Sequence, residues 1–286
     1  MHWRLVLAGG VLAGGIAAAS SGPQHLTLMN QRSSPQDLEI SGDVTGLAAG
    51  ASRFVSYAAL SGLPQVSYTV RHDENFSGPV QLSGVSLDGV LAALGVDGKD
   101  QLIAAISADG YEGHYTTAYR AEHHPFLVLK IEGKEPAQWK PGPDGEKYTP
   151  YVISAPAFAP AFHVLAHKDM AQVPYGVTGL KLYREEATLA ALQPHSGGAA
   201  AMEGYRIAVQ NCLRCHRAGD IGGNKSPFGW PQMAMIAQGN AGAFGKYVVR
   251  PNAVNPEANM PPNPEYDAAT IRALTAYFQS VAKAGP

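Results

Sequence analysis

Two cysteines are the whole thiol content of this 286-residue chain, and both fall in one five-residue stretch, Cys212-Leu213-Arg214-Cys215-His216. That placement narrows what the region can be. A zinc ribbon needs a second pair of ligands, and no further cysteine exists to supply it. A redox dithiol of the thioredoxin type follows a buried strand and opens a helix. Here the order is reversed: Met202 to Asn211 predicts a helix running into the motif, and a glycine-rich stretch follows it. A disulfide across two intervening residues is sterically feasible but an unusual structural link.

The spacing has a better chemical use. Two thiols three residues apart on one helical turn can each add to one vinyl group of the same porphyrin. The adjacent imidazole then lies under the iron as its proximal ligand. Cys212 and Cys215 are therefore the expected covalent anchors of one haem c, with His216 on the metal. His216 is the only histidine after His195, so a second histidine cannot complete the iron within this region. Of the later methionines, Met233 and Met235 sit at helical apolar spacing and read as core filling. Met260 lies in Asn259-Met260-Pro261-Pro262, a proline-stiffened loop that can hold a thioether in place. Met260 is the expected distal ligand.

The rest of the chain divides around Pro194–Ala201, a run of small residues that reads as linker. Before it, Val66, Tyr68 and Val70 alternate as a half-buried strand does. Ser86 to Leu94 predicts a helix closed by Gly95, and Gln101–Ser107 and Phe126–Ile131 predict further strands. After it come helices near Gln232–Gln238 and Ala241–Val249, then a closing amphipathic helix capped by Asp267 with Ile271, Leu274, Tyr277, Phe278 and Val281 on one face. The expected organisation is multidomain: an α+β domain over 37–190, a linker over 191–201 and an all-α domain over 202–286. A loop-rich domain of about 85 residues buries little apolar surface for its size, and a haem would supply the missing core.

Arg4, the apolar stretch Leu5 to Ala19 and the small residues Ala17 and Ala19 predict a signal peptide over 1–19, hence a periplasmic or otherwise exported protein. An uncleaved anchor is the alternative. The stretch falls short of the roughly 20 apolar residues of a spanning helix, and no later segment is apolar enough to span. With a formal net charge of -2 and no basic run, nothing points to nucleic acid.

Residues 202–284 resemble a mono-haem class I cytochrome c. Gly204-Tyr205 resembles the family's first-helix signature, Cys212–His216 its attachment motif, Met260-Pro261 its distal loop, and Tyr277-Phe278 the aromatic position of its closing helix. The resemblance implies that Gly204 packs against Tyr277 where first and last helices cross. It also implies that the carbonyl of Pro227, in Lys225-Ser226-Pro227-Phe228-Gly229, accepts the proximal imidazole N–H and so fixes its tautomer. Trp230, Tyr247 and Arg250 carry donors that could reach the haem propionates or serve as ordinary packing and surface residues.

Residues 37–185 resemble, more diffusely, the molybdopterin-binding domain of sulfite-oxidase-like proteins, on Asp37–Gly42, Phe76–Val80 and Ser107–Tyr111. That family ligates molybdenum through one cysteine, on the loop that corresponds to Arg71–Asn75, and this chain has none there. Pterin binding through its phosphate rests on Arg53, Arg71, His72, His114, Arg120, His123, His124, His163, His167 and Lys168 as donors. Histidines at this density could also take a metal, or be surface or hydrogen-bonded side chains of a domain without a cofactor.

The function expected is that of an exported electron carrier, cycling one His/Met-ligated haem between Fe(II) and Fe(III). A redox protein is donor or acceptor, and the N-terminal domain binds a partner. The alternative is a two-domain oxidoreductase in which a retained molybdopterin or metal site feeds the haem. A haem-based gas sensor is a third reading.

Overall fold

A computed structural model describes residues 25–143, 145, 147–160 and 163–282; the signal-peptide reading of residues 1–19 lies outside them. Its strands are β1 (Leu38–Gly42), β2 (Ser52–Val55), β3 (Val66–Val70), β4 (Val80–Ser86), β5 (Gln101–Ser107), β6 (Glu112–Tyr115), β7 (Phe126–Ile131), β8 (Tyr151–Ser154), β9 (His163–Val164), β10 (His167–Lys168) and β11 (Tyr175–Arg184). Its helices are α1 (Tyr57–Gly62), α2 (Leu87–Ala93), α3 (Thr117–His123), α4 (Glu185–Ala190), α5 (Gly198–Ile207), α6 (Trp230–Gly239), α7 (Ala241–Val249), α8 (Pro251–Val254) and α9 (Ala268–Ala282). The chain is thus α+β, with a large mixed sheet followed by a run of helices.

The sheet has nine strands along the path β2-β1-β11-β8-β7-β4-β3, with β5 joining β11 to β6. β1 runs parallel to β11, and the other pairings are antiparallel. The central strands carry near-continuous apolar runs because both faces are covered: every residue of Tyr151–Ser154 is buried, as are Phe126 to Leu129. Side-chain caps start α1, α2 and α3. Ser86 accepts from the amide of Gly89 to open α2, and Thr116 from that of Tyr119 to open α3, each satisfying a donor the helix cannot.

In the second half α5 and α9 cross at Gly204. A Cβ there would overlap the carbonyl oxygen of Ala273, so only glycine lets the two backbones approach so closely. Tyr277, the aromatic of the closing helix, packs on Tyr205, ring centroids 5.8 Å apart. Glycine meets backbone at the crossing, and the aromatic pair fills the space one residue along. α5 begins at Gly198, inside the stretch expected as linker, and the preceding turn is pinned by Tyr277 Oη donating to the carbonyl of Leu192 at 2.8 Å.

The helical half shares its core with the sheet. Leu102 from β5 and Val164 from β9 join Ile207, Leu213, Trp230, Phe244, Leu274, Tyr277 and Phe278 in one buried cluster. Burying apolar side chains contributes about 25 cal/mol per Å², so this cluster stabilises the join as well as the helices. No helix among the described residues is long and apolar enough to cross a membrane.

Candidate functional site

The helix entering the cysteine motif changes pitch before it ends. α5 gives way to a π-helical turn over Ala208–Cys212, a widening that often accompanies functional positions. The amides of Cys215 and His216 then donate to the carbonyl of Cys212 at 3.2 and 3.0 Å, closing one tight turn. The intervening residues orient it. Leu213 is buried in the helical core, while Arg214 turns toward the sheet, with Nε donating to the Gln210 carbonyl at 3.1 Å and Nη2 to the Met170 carbonyl at 3.3 Å. Cys212, Cys215 and His216 are left half-buried on the remaining side.

His216 Nδ1 lies 2.6 Å from the carbonyl oxygen of Phe228. A carbonyl only accepts, so Nδ1 carries the proton and Nε2 keeps its lone pair. The acceptor expected was Pro227; it is the next residue. Ser226 Oγ takes the amide of Phe228 at 3.1 Å and the Arg217 carbonyl takes the amide of Trp230 at 2.8 Å. Together these fold the segment so that the Phe228 carbonyl faces the ring, while Pro227 is exposed. Burial holds the imidazole below the ordinary histidine range, opposed by the Phe228 bond; the neutral ring is the form that binds metals.

Both cysteines are free thiols. Burial first, then the neighbouring Cys215, pushes the Cys212 thiol up to about 12, the opposite of an activated redox dithiol. Among the described residues no group of three or more His, Cys, Asp or Glu side chains is placed to hold a bare metal ion. Cys212, Cys215 and His216 therefore do not converge on a point as a tetrahedral ion requires. A planar macrocycle joined at two edges makes no such demand. Met260 is half-buried against the same apolar cluster as Cys212.

The other candidates separate. Met233 is buried in that cluster, but Met235 is 63% exposed, so it does not fill the core. Two residues on from Met233 along α6, it lies on the opposite face. Trp230 is buried and spends its indole N–H on Tyr277 Oη at 2.7 Å; Tyr247 is half-buried and Arg250 exposed.

Of the donors proposed for a pterin phosphate, the buried ones bond partners within the chain. Arg120 is buried and staples its surroundings, bonding Asp88 Oδ1 at 2.7 Å and the carbonyls of Gln101, Tyr115 and Gly98. His114 faces Glu112, His123 faces Asp169 and His167 faces Gln210 and Tyr266. Arg53 Nη1 bonds the Ser52 carbonyl. Arg71 and His72 are exposed side by side on the loop after β3, His124 is exposed at the end of α3, and His163 and Lys168 are exposed as a cross-strand pair of β9 and β10. On the Arg71–Asn75 loop Asp73 turns inward, taking a hydrogen bond from Ser154 Oγ at 2.6 Å and one from the Asn75 amide at 2.9 Å. Burial raises its carboxyl above the usual range, against the lowering by those bonds.

A polar bridge that the sequence did not announce joins the motif to the sheet. Asn211 Nδ2 donates to Tyr266 Oη at 2.7 Å, and Tyr266 Oη lies 3.0 Å from His167 Nδ1. His167 Nε2 bonds Gln210 Oε1, whose amide nitrogen donates to Asp169 Oδ1 at 2.7 Å; Asp169 Oδ2 is 2.7 Å from His123 Nε2. One tautomer, His167 protonated on Nε2 alone, gives every member a complementary partner. The histidines were visible as a dense group, but Gln210 and Asn211, beside Cys212, carry amides that no spacing rule marks.

No protein-family model matches the chain, and no curated protein matches it.

Proposed function

We propose that the chain is an electron-transfer protein holding one haem c through thioether links to Cys212 and Cys215, with His216 and Met260 as axial ligands. The observation that carries this reading is the His216 ring, oriented by the Phe228 carbonyl so that Nε2 is free, on the same turn as two free thiols. When bound, the haem supplies a reversible one-electron couple, and axial thioether and burial favour a relatively high potential. The chain's own residues orient the imidazole, exclude water with the apolar cluster around Leu213, Trp230 and Phe278, and hold the Met260 loop.

On this reading residues 202–284 are a class I cytochrome c domain and residues 37–190 a sulfite-oxidase-like fold that binds a redox partner, in a protein exported to the periplasm. Molybdopterin is disfavoured on this reading, since the buried donors are spent on internal partners and the metal-ligating cysteine is missing. The test is an absorption spectrum and metal analysis of the full chain made in a host competent for haem attachment and molybdenum cofactor assembly. One iron per chain, with pigment retained through denaturation and acidified organic solvent, supports the proposal. Colourless protein, or pigment that extracts, sinks it. Stoichiometric molybdenum beside the iron would favour the two-domain oxidoreductase instead.

A further inference from the structure

We propose that His167, a residue of the sheet half, positions the loop that carries Met260; this rests on the reading of Met260 as an axial ligand. The loop spans residues 255–267 between α8 and α9, and Asn259, Pro261 and Pro262 on either side of Met260 are exposed. Its anchors lie at the far end. The amide of Asn263 donates to the Val249 carbonyl at 3.2 Å and its Nδ2 to the Val248 carbonyl at 2.9 Å. Asn211, one residue before Cys212, donates to Tyr266 Oη and reaches Asn263 Oδ1 at 3.4 Å.

The remaining hold on this base comes from outside the helices. Tyr266 Oη is buried with His167 Nδ1 at 3.0 Å, and their rings meet edge to face at 5.7 Å. β10, which carries His167, pairs with β9, and the turn between them donates from the Ala166 amide to Thr270 Oγ1 in the first turn of α9 at 3.1 Å. The sheet half thus grips the segment just past Met260 twice. Removing the imidazole leaves a buried hydroxyl without its acceptor, a loss that falls on the closed loop. A thioether competes for its site with any external ligand, so weakening the closed loop strengthens the competitor by the same factor.

The experiment uses the full ferric holoprotein as wild type, His167→Ala, His167→Gln and Lys225→Ala. Imidazole is titrated while the sulfur-to-iron charge-transfer band is followed, and amide exchange of residues 255–266 is measured in the same samples. His167→Ala is expected to bind imidazole about tenfold more tightly and to exchange faster in that segment. His167→Gln, which keeps an acceptor and a donor, returns both readouts toward wild type. Lys225→Ala breaks the contact of Lys225 with Asp109 between the two halves and leaves both unchanged. Imidazole affinity and exchange in His167→Ala indistinguishable from wild type would overturn the proposal. So would an equal effect from Lys225→Ala, which would mean general loosening of the join. A chain that takes up no thioether haem would defeat the functional reading, while the exchange comparison still decides whether His167 holds the loop.

Discussion

Glu112 and Arg214 meet backbone to backbone: the Glu112 amide donates to the Arg214 carbonyl at 2.9 Å. One of the two residues between the cysteines is therefore hydrogen-bonded to the tip of the β5–β6 hairpin. Gly110 and Asn224 extend the contact, with the Asn224 amide donating to the Gly110 carbonyl at 2.9 Å, and Glu112 Oε2 accepts from the Gly222 amide at 3.0 Å. The hairpin thus braces the chain on both sides of His216. Electrons reaching the proposed haem from a partner bound to the sheet would cross a bonded seam rather than a flexible tether.

Gly110 tests that seam. Its φ is +85°, and a Cβ would overlap Asn224 Oδ1. The left-handed conformation costs a non-glycine residue about 1–2 kcal/mol, and the amide of Asn224 must also shift. Gly110→Ala should lower stability in urea unfolding by about that amount and speed amide exchange at residues 222–225. An unchanged unfolding midpoint would show that the hairpin tip is not held as described.

The attachment residues make a sharper case. Cys212→Ala with Cys215→Ala should abolish haem staining that survives denaturation and destabilise the helical half. Met260→Ala should keep the covalent haem but lose the sulfur-to-iron band and admit carbon monoxide to the reduced protein. A band that persists in Met260→Ala would move the ligand elsewhere, with Met235 the exposed thioether to examine next.

What the sequence made legible follows the range of each signal. Local periodicity located β3, β5, β7, α2, α7 and α9, because a half-buried strand or helix writes its own pattern. The cysteine motif was legible because its chemistry is confined to one turn. Pro227 missed by one residue, since which carbonyl meets an imidazole depends on how Ser226 and Arg217 fold the segment. Met235 was misplaced because a helix turns its opposite face two residues on from Met233, which the apolar composition of the segment hides. The bridge through Gln210, Asp169 and Asn211 was invisible for a different reason: it joins residues some 40 to 100 positions apart, and neutral amides become informative only when a fold brings them together.

The crossing of α5 on α9 yields a prediction of opposite sign to helix propensity. Alanine in place of glycine favours a helix by about 1 kcal/mol. At Gly204 the added methyl meets the backbone of Ala273 and Leu274, which cannot rotate aside, and over-packing of this kind costs about 1–3 kcal/mol. Gly204→Ala should therefore be neutral to destabilising and Gly204→Leu clearly destabilising, read as urea midpoints of the full chain. A stabilised Gly204→Ala would mean the helices part freely.

Acid should weaken the fold in part through His167. Burial, the first cause, holds its imidazole below the ordinary histidine range, with Arg214 acting in the same direction and the Gln210 bond, Asp169 and Glu265 opposing. Between the folded and unfolded values the unfolded chain binds the extra proton, so the contribution to stability is complete above the unfolded value of about 6.5 and drains away as pH falls through the folded one. Protonation would also put a proton on Nδ1, where Tyr266 needs an acceptor. His216 is lowered by burial as well, so total stability alone does not isolate the effect; the difference between wild type and His167→Gln does, because His216 is common to both. That difference should be largest near pH 7.5 and shrink toward pH 5 in urea unfolding. A difference that stays constant over this range would mean that His167 keeps its ordinary affinity for protons in the folded chain.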